Sequence, residues 1–230
     1  MSKKSQSNTT TYSTTAMMVN PAIEFYQFNL LQQTNDPVIS EMEALAAKNN
    51  FPIVGRLVGT FLATLTKMIQ GKRVFEFGSG YGYSAYWFAK AVGQHGEVIC
   101  TEADYLNLEK AQYYLTKANL WDRVNFKTGM AEAIFASTEG VFDVCYNDVD
   151  KIDYPAIWLM AKDRIRPGGL YIADNVLWRG RVAAQEYTDV FDGWTEAIRT
   201  HNALIFNDPD FEAFINPNRD GVLVARKKTE

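Results

Sequence analysis

The sequence has few of the residues that indicate a disulfide-bonded, zinc-binding or membrane protein. It contains only two cysteines, Cys100 and Cys145, and only two histidines, His95 and His201. Both cysteines lie in apolar, strand-like stretches, which predicts reduced core residues and a cytoplasmic location. Two histidines argue against a histidine-rich zinc site. No apolar run approaches the roughly 20 residues that a transmembrane helix needs, so a membrane is not an expected partner.

The chain also lacks an excess of positive charge. The net charge is −4 and the pI is near 5.3, which argues against a broad basic face for nucleic acid. The 230 residues contain no internal repeat and no linker rich in proline and glycine after residue 20, so we expect one domain over residues 21–230. The first residues, "MSKKSQSNTTTYSTT", are rich in Ser and Thr and lack an apolar segment. They predict a disordered tail over residues 1–20 rather than a signal peptide.

The first part of the chain has a helical pattern. Residues 21–33 and 37–49 suit helices, and residues 54–69 carry one continuous apolar helical face. The residues of that face are Val54, Leu57, Val58, Phe61, Leu62, Leu65, Met68 and Ile69. These segments predict an N-terminal helical cap over about residues 21–70.

From residue 73 onward, short apolar runs alternate with helical patterns. Strands are predicted at residues 73–77, 97–101, 123–127, 141–147, 169–174, 203–207 and 221–227. Helices are predicted near residues 82–92, 105–119, 131–136, 153–164 and 186–200. Alternation of this kind is typical of a doubly wound α/β fold with a mainly parallel sheet. The last two strands have no helix between them, so we expect them to pair antiparallel.

A glycine-rich turn follows the first predicted strand, in "VFEFGSGYGYS" (residues 74–84). Gly78, Gly80 and Gly82 do not have the GxGxxG spacing of dinucleotide folds. Glu76, inside the strand, would repel a phosphate and attract a cationic amino-acid ligand. Glu102 ends the second strand, where doubly wound folds place an acid that binds ribose. Together these features favour S-adenosylmethionine as the ligand; the alternative is that the glycines only shape a turn and Glu102 caps a helix.

Acidic residues follow two further strands. "FDVCYNDVDKIDY" ends the fourth strand with Asp148, and "IADN" ends the fifth with Asp174 and Asn175. Consecutive strands often lie side by side, which would bring these three side chains together. An oxygen-only set of this kind suits Mg²⁺ first, with Mn²⁺ or Ca²⁺ as alternatives. Two simpler interpretations stay open: Asp153 caps a helix, and the Asp174–Asn175 pair only forms a turn.

From about residue 52 to 228 the chain resembles the cation-dependent O-methyltransferases, which include the caffeoyl-CoA and catechol O-methyltransferases. The segments that carry the resemblance are "EFGSGYGYS", "NDVDK", "RPGGLYIADNVLWRGRV" and "RDGVLVARK". It implies a Rossmann-like class I methyltransferase fold. The expected sheet has seven strands in the order 3-2-1-4-5-7-6 with strand 7 antiparallel, and the expected assembly is a homodimer.

The resemblance also implies site residues. The positions that match the family's cofactor contacts are Val54, Glu76, Gly78, Ser79, Ser84, Glu102, Ala131, Asp148 and Asp150. Asp148, Asp174 and Asn175 match the metal ligands, and Lys151 matches the general base. The alternative for Lys151 is a surface lysine that flanks a helix.

The implied reaction is methyl transfer from S-adenosylmethionine to a hydroxyl of a small catechol-like phenol. Arg179 stands where plant relatives contact their substrate through an amide, so it predicts an acidic acceptor. The chain departs from the family pattern at Asn147 and in the loop 216–221. Trp178 is either a pocket wall or a core residue. The N-terminal tail has no lysine at the position that plant relatives use for a coenzyme A ester, which favours a small free acceptor.

Two other functions stay open from the sequence. Some bacterial relatives methylate a hydroxylated uridine in transfer RNA, which would require a basic surface. The chain could also be a nucleoside-binding module without catalytic activity, although the complete set of Asp148, Lys151, Asp174 and Asn175 argues against it.

Overall fold

The computed structural model describes residues 20–31, 36–189, 191 and 193–229. The predicted disordered tail falls almost entirely on residues 1–19, which lie outside this range. The described chain forms eight α-helices and seven β-strands. The helices are α1 (Pro21–Leu31), α2 (Pro37–Asn49), α3 (Gly55–Met68), α4 (Tyr83–Val92), α5 (Tyr105–Lys117), α6 (Ala131–Ser137), α7 (Tyr154–Ala161) and α8 (Trp194–Phe206). The strands are β1 (Arg73–Phe77), β2 (Glu97–Glu102), β3 (Val124–Thr128), β4 (Phe142–Asn147), β5 (Ile165–Ala173), β6 (Phe211–Asn216) and β7 (Val222–Lys227).

The seven strands form a single sheet in the order β3-β2-β1-β4-β5-β7-β6. Strands β1 to β5 pair in parallel, and β7 lies antiparallel to both β5 and β6. This confirms the predicted order and the antiparallel strand 7. The order reverses between β1 and β4, and ligands of doubly wound folds bind at such a reversal.

One predicted strand is wrong. Residues 203–206 lie in α8 and Asn207 caps its end; this helix was expected near residues 186–200 but begins only after Gly193. The buried residues Ile198, His201 and Ile205 have helical spacing, so the apolar run "ALIF" continues a helical face. The sixth strand is β6, in which Phe211 is buried and Phe214 is exposed. An edge strand that packs on one face only has fewer apolar residues than a buried strand. The pattern of β6 is therefore weaker than that of the apolar run before it.

The sheet separates two apolar cores, because neighbouring residues on a strand point to opposite faces. On β1, Val74 belongs to one core and Phe75 to the other; on β4, the same holds for Val144 and Cys145. Helices α2 to α5 cover the first face, and α6 to α8 cover the second. Cys100 and Cys145 are both buried with free thiols, as predicted for core cysteines.

None of the helices in the described ranges is long and apolar enough to cross a membrane.

Candidate active site

A cavity of about 1160 Å³ opens at the carboxyl ends of β1, β2, β4 and β5. Parallel strands end there together, so the residues that follow each strand meet at one edge of the sheet. Every residue predicted to bind cofactor, metal or acceptor lines this cavity except Glu76, which is fully buried and contacts the lining residue Ser79. The structure therefore brings the predicted set together.

The glycine turn after β1 is shaped by a close backbone contact. Gly78 has a φ of +79°, and a Cβ added to it would lie 2.6 Å from the carbonyl oxygen of Asp148. Only glycine tolerates both the left-handed backbone and this contact. The amide of Asp148 in turn donates to the carbonyl of Phe77 at 2.9 Å. The turn is thus packed against the segment that carries the first predicted metal ligand.

Glu76 is a buried acid with one oxygen left without a partner. Its Oε2 accepts a hydrogen bond from the Ser79 hydroxyl at 2.7 Å. Its Oε1 has no hydrogen-bond partner within the described chain. Burial raises the pKa of Glu76 to about 7, although the nearby hydroxyls of Ser84 and Ser79 oppose the shift. A buried polar atom without a partner is costly, so this oxygen favours a cationic ligand that donates to it.

The other predicted cofactor residues lie around the same cavity. Glu102 ends β2, and its Oε1 accepts from the amide of Asp104 at 2.8 Å. Asp104, not Glu102, caps α5, so the interpretation of Glu102 as a helix cap is wrong. Ala131 begins α6 and Val54 precedes α3, and both are buried. Asp150 is exposed at the start of the turn that leads into α7.

Asp148, Asp174 and Asn175 come together because β4 and β5 are neighbours. Asn147 pairs with Ala173 at the ends of these strands, and the amide of Asp174 donates to the carbonyl of Asn147 at 3.1 Å. Burial, together with the charge of Asp148, raises the pKa of Asp174 to about 7. Two carboxylates held this close repel each other unless a proton or a cation lies between them.

The predicted metal ligands offer oxygen atoms only, and Asn175 provides the amide oxygen among them. Asn175 has a φ of +56°, a left-handed backbone that asparagine tolerates. Within the residues that the structure describes, no group of three or more His, Cys, Asp or Glu side chains has the geometry of a metal site. The predicted set contains two carboxylates and one amide oxygen, which suits Mg²⁺ rather than zinc.

Lys151 is buried, with 6% of its surface exposed, so the surface-lysine interpretation is wrong. Its Nζ donates three hydrogen bonds: to Asp148 Oδ1 at 3.0 Å, to the carbonyl of Val149 at 3.1 Å and to the Tyr154 hydroxyl at 2.8 Å. The Tyr154 hydroxyl donates onward to the carbonyl of Asp174 at 2.8 Å. Lys151 is therefore fixed directly to the Asp148 carboxylate and, through Tyr154, to the main chain of Asp174.

Aromatic and charged residues form the remaining wall of the cavity. The Trp178 and Trp194 rings lie 5.5 Å apart between centroids, and both residues line the cavity. Trp178 is thus a pocket-wall residue. Arg179 is exposed at the rim, and its backbone amide donates to Asp220. Its guanidinium makes no hydrogen bond within the part of the chain that the structure describes.

Asn147 points away from the cavity. It is fully buried, and its side-chain amide donates to the Tyr171 hydroxyl at 3.0 Å. That hydroxyl also lies 3.0 Å from Nε2 of His201. The polar residue before the first predicted metal ligand therefore belongs to a buried hydrogen-bonded chain under the site.

The sequence interpretation missed three residues at the site. Tyr154 stands three positions after Lys151, a spacing that places both on one side of a helical turn and offered a signal. Asp220 and Arg219 lie in the loop 216–221, which the sequence marked only as unusual. The contacts of Arg219 with residues 53 and 54 span more than 160 positions in the chain, and no local pattern encodes such a contact.

Comparison with known proteins identifies the family of this chain. The O-methyltransferase family model matches residues 31–228. The catechol O-methyltransferase of Niastella koreensis is 31% identical over 189 residues, covering 80% of this chain and 84% of the relative. The caffeoyl-CoA O-methyltransferase 1 of Eucalyptus globulus is 27% identical over 202 residues, covering 82% of this chain and 81% of the relative.

A solved structure shows the same similarity in three dimensions. The O-methyltransferase of Bacillus cereus, in complex with SAH, superposes with a TM-score of 0.80 at 28% identity. The superposition covers 90% of this chain and 97% of that protein. The chain therefore belongs to the O-methyltransferase family, the S-adenosylmethionine-dependent enzymes that include the catechol and caffeoyl-CoA O-methyltransferases.

Proposed function

We propose that this protein transfers a methyl group from S-adenosylmethionine to one hydroxyl of a vicinal dihydroxy phenol, and that it needs a divalent cation, Mg²⁺ first. The observation that carries the proposal is the placement of Asp148 and Asp174 at adjacent strand ends, with Lys151 hydrogen-bonded to Asp148 and linked through Tyr154 to the main chain of Asp174. Such a set of oxygens with a buried lysine suits the binding and deprotonation of a chelating diol.

The residues of the glycine turn fit the amino-acid end of S-adenosylmethionine. Glu76 Oε1 lacks a donor, and the ammonium group of the cofactor would supply one. Ser79, Ser84 and Gly78 border the same part of the cavity. The SAH bound to the Bacillus cereus relative is the demethylated form of this cofactor, which supports the choice of methyl donor.

The nucleoside end of the cofactor would lie beyond the turn. Glu102 follows β2 and would accept hydrogen bonds from the ribose hydroxyls. Ala131 would border the adenine, Val54 would cover the cofactor from the α3 side, and Asp150 would be a second acid beside it. All four line the cavity.

The residues at the ends of β4 and β5 fit a hard divalent cation. Asp148, Asp174 and Asn175 offer oxygen atoms only, and Asp174 has a raised pKa because it is buried beside a second carboxylate. A cation held there would lower the pKa of a phenol from about 10 and fix the two oxygens of a diol. The three protein ligands leave room for both of those oxygens.

Lys151 is the base in this proposal. Its Nζ donates hydrogen bonds to Asp148, Val149 and Tyr154. An ammonium nitrogen that donates all three protons has no lone pair to take another proton. Lys151 must therefore be neutral in the reacting complex, where a phenolic proton would pass to Nζ. Tyr154 keeps the nitrogen in place, because its hydroxyl is fixed by the carbonyl of Asp174.

The acceptor would lie against the aromatic wall. Trp178 and Trp194 offer flat apolar surface for a phenolic ring, and Arg179 at the rim would contact an acidic group. A small phenol agrees with this wall better than transfer RNA does. The described rim and floor carry Glu24, Glu43 and Glu132 besides the acids named above, and such a surface repels phosphates.

We also propose a homodimer in the cytoplasm and a single domain over residues 21–230. Helix α1 has no buried residue in the isolated chain, and its Ile23, Phe25, Tyr26 and Leu30 are all more than half exposed. Apolar side chains of this kind favour a partner surface. Light scattering after size-exclusion chromatography would measure the mass, and a monomer at micromolar concentration would contradict the dimer.

The test of the function is methyl transfer to a panel of vicinal dihydroxy phenols, with Mg²⁺, with EDTA, and with Mg²⁺ restored. We expect activity that EDTA removes and the metal returns. Activity that persists in EDTA would disprove the role of the cation. Transfer to RNA but to no phenol would favour the uridine alternative, and cofactor binding without any transfer would favour a binding module.

A further inference from the structure

Arg219, in the loop between β6 and β7, is held over the cavity by the main chain. Its Nη1 donates to the carbonyl of Ile53 at 3.0 Å and to the carbonyl of Val54. Its own backbone amide donates to Glu24 Oε1 at 2.5 Å. These contacts fix the arginine against the α1 and α3 side of the cavity, although the side chain itself is exposed.

The same loop is also attached to the segment that carries the predicted metal ligands. The carbonyl of Asp220 accepts from the amide of Leu177 at 2.9 Å, and the carbonyl of Gly221 accepts from the amide of Val176 at 3.1 Å. Val176 directly follows Asn175. Arg219 is therefore held between the cofactor side and the metal side of one cavity, where an acceptor has to lie.

The guanidinium keeps one edge free. Its Nε and Nη2 make no hydrogen bond to any residue in the described ranges, while Nη1 is used by the two carbonyls. Arg219 lines the same cavity as Asp174 and Asn175. Two N–H groups on one edge of an arginine match the two oxygens of a carboxylate.

We propose that the free edge of Arg219 binds a carboxylate of the acceptor, so that the preferred substrates are vicinal dihydroxy phenols with an acidic side chain. This inference rests on the proposed function and specifies its substrate class. Arg179, to which the sequence assigned the acidic group, is a second cation at the rim, but no contact within the described chain fixes its guanidinium, so we assign the carboxylate to Arg219 instead. Arg219 is already ordered, so less side-chain entropy is lost when it binds.

The experiment compares three acceptors with the same ring: a dihydroxycinnamic acid, its methyl ester and its coenzyme A thioester. We expect the free acid to have the lowest KM of the three. In Arg219→Gln the KM of the acid should rise about tenfold or more, the usual effect of losing a charged hydrogen bond, and the KM of the ester should stay nearly unchanged. Arg219→Lys should retain part of the preference.

Two further variants serve as controls. Arg226→Gln changes the same residue type on β7, where Arg226 faces Glu212 of the edge strand β6 at 3.9 Å and lies outside the cavity; it should change no KM. Arg179→Gln tests the rim arginine, and it should affect the acid less than Arg219→Gln does. If Arg179→Gln has the larger effect, the carboxylate belongs to Arg179 and the inference is wrong.

Other outcomes also overturn the inference. Equal losses for acid and ester in Arg219→Gln would show that Arg219 only holds the loop. A preference for the thioester would place the phosphates of coenzyme A, not a carboxylate, at the arginine.

Calorimetric binding of cinnamate, which has no hydroxyl to methylate, separates this inference from the proposed function. Binding that Arg219→Gln abolishes supports the carboxylate site even if no phenol is methylated. Methylation of phenols without any cinnamate binding would disprove the site and leave the proposed function intact.

Discussion

The Nζ atom of Lys151 lies 2.8 Å from the hydroxyl oxygen of Tyr154, inside the protein. The same hydroxyl donates to the main chain of Asp174. The pair therefore connects the segment after β4 with the segment after β5, and it holds the proposed base against the main chain that carries Asp174.

Tyr154→Phe should impair catalysis more than binding. The variant removes one of the three hydrogen-bond partners of Lys151 Nζ without changing the size of the ring, so Nζ gains freedom to move. We expect kcat to fall about tenfold or more, with little change in KM, and the free energy of unfolding to drop by about 1 kcal/mol. Steady-state kinetics and denaturant unfolding measure both. Tyr113→Phe, on the exposed surface of α5, should change neither; an unaltered kcat in Tyr154→Phe would refute the positioning role.

Glu76→Gln should weaken cofactor binding and leave the fold intact. The variant keeps the shape of the side chain but removes the charge that the cofactor ammonium would meet. We expect the Kd of S-adenosylmethionine to rise at least about tenfold. The cofactor-free variant should be as stable as the wild type or more stable, because a buried carboxylate is costly. Calorimetric titration tests this, and an unchanged Kd would remove Glu76 from the cofactor site.

The raised pKa of Glu76 predicts how stability changes with pH. The group has a pKa of about 7 in the folded protein against an ordinary 4.5. Between these values the folded chain holds a proton that the unfolded chain has released, so the free energy of unfolding falls as pH rises from 4.5 to 7. The total loss from this group is at most about 3 kcal/mol.

Comparison with Glu76→Gln isolates that contribution. His201, whose pKa burial lowers to about 4, acts with the opposite sign between pH 4 and 6.5. Asp174 has a raised pKa as well. Both groups are present in both proteins, so the difference between the two unfolding curves reports Glu76 alone. That difference should grow in favour of the variant from pH 4.5 to 7, and parallel curves would contradict the raised pKa.

Asp174→Asn should abolish activity and stabilise the metal-free protein. The variant removes a buried charge that lies beside the Asp148 carboxylate, and with it a proposed metal ligand. At pH 8 in EDTA we expect Tm to rise by at least about 3 °C. Binding of Mn²⁺, followed by electron paramagnetic resonance, should be lost. A variant that still binds Mn²⁺ with wild-type affinity would exclude Asp174 as a ligand.

Gly78→Ala should be more damaging than Gly180→Ala. Both glycines have a left-handed backbone, with φ of +79° and +78°, but only at Gly78 would the new Cβ meet another backbone. Each variant should lose about 1 kcal/mol from the strained φ. Gly78→Ala should lose further stability and weaken cofactor binding, because the Asp148 carbonyl must move. Equal effects in thermal unfolding would mean that the turn adapts without cost.

The sequence by itself determined most of the sheet and the composition of the site. Hydrophobic periodicity is local, so the runs at β1, β2 and β4 were visible without any tertiary information. The residue types after those strands were equally visible: glycines after β1, an acid after β2 and oxygen ligands after β4 and β5. The sheet order came from the family resemblance, and the structure confirmed it.

Tertiary structure decided what each polar side chain faces. Asn147 could have faced the cofactor, yet it reaches Tyr171 beneath the site, because its strand position directs it into the second core. The run 203–207 could have been a strand, yet burial of His201 and Ile205 on one helical face made residues 203–206 the last turn of α8. No local pattern predicted the contacts of Arg219, because residues 53 and 219 come together only in the folded chain. Contacts between segments remote in sequence form only in the folded protein, so the sequence supplied the site's chemical groups and the fold determined which of them meet.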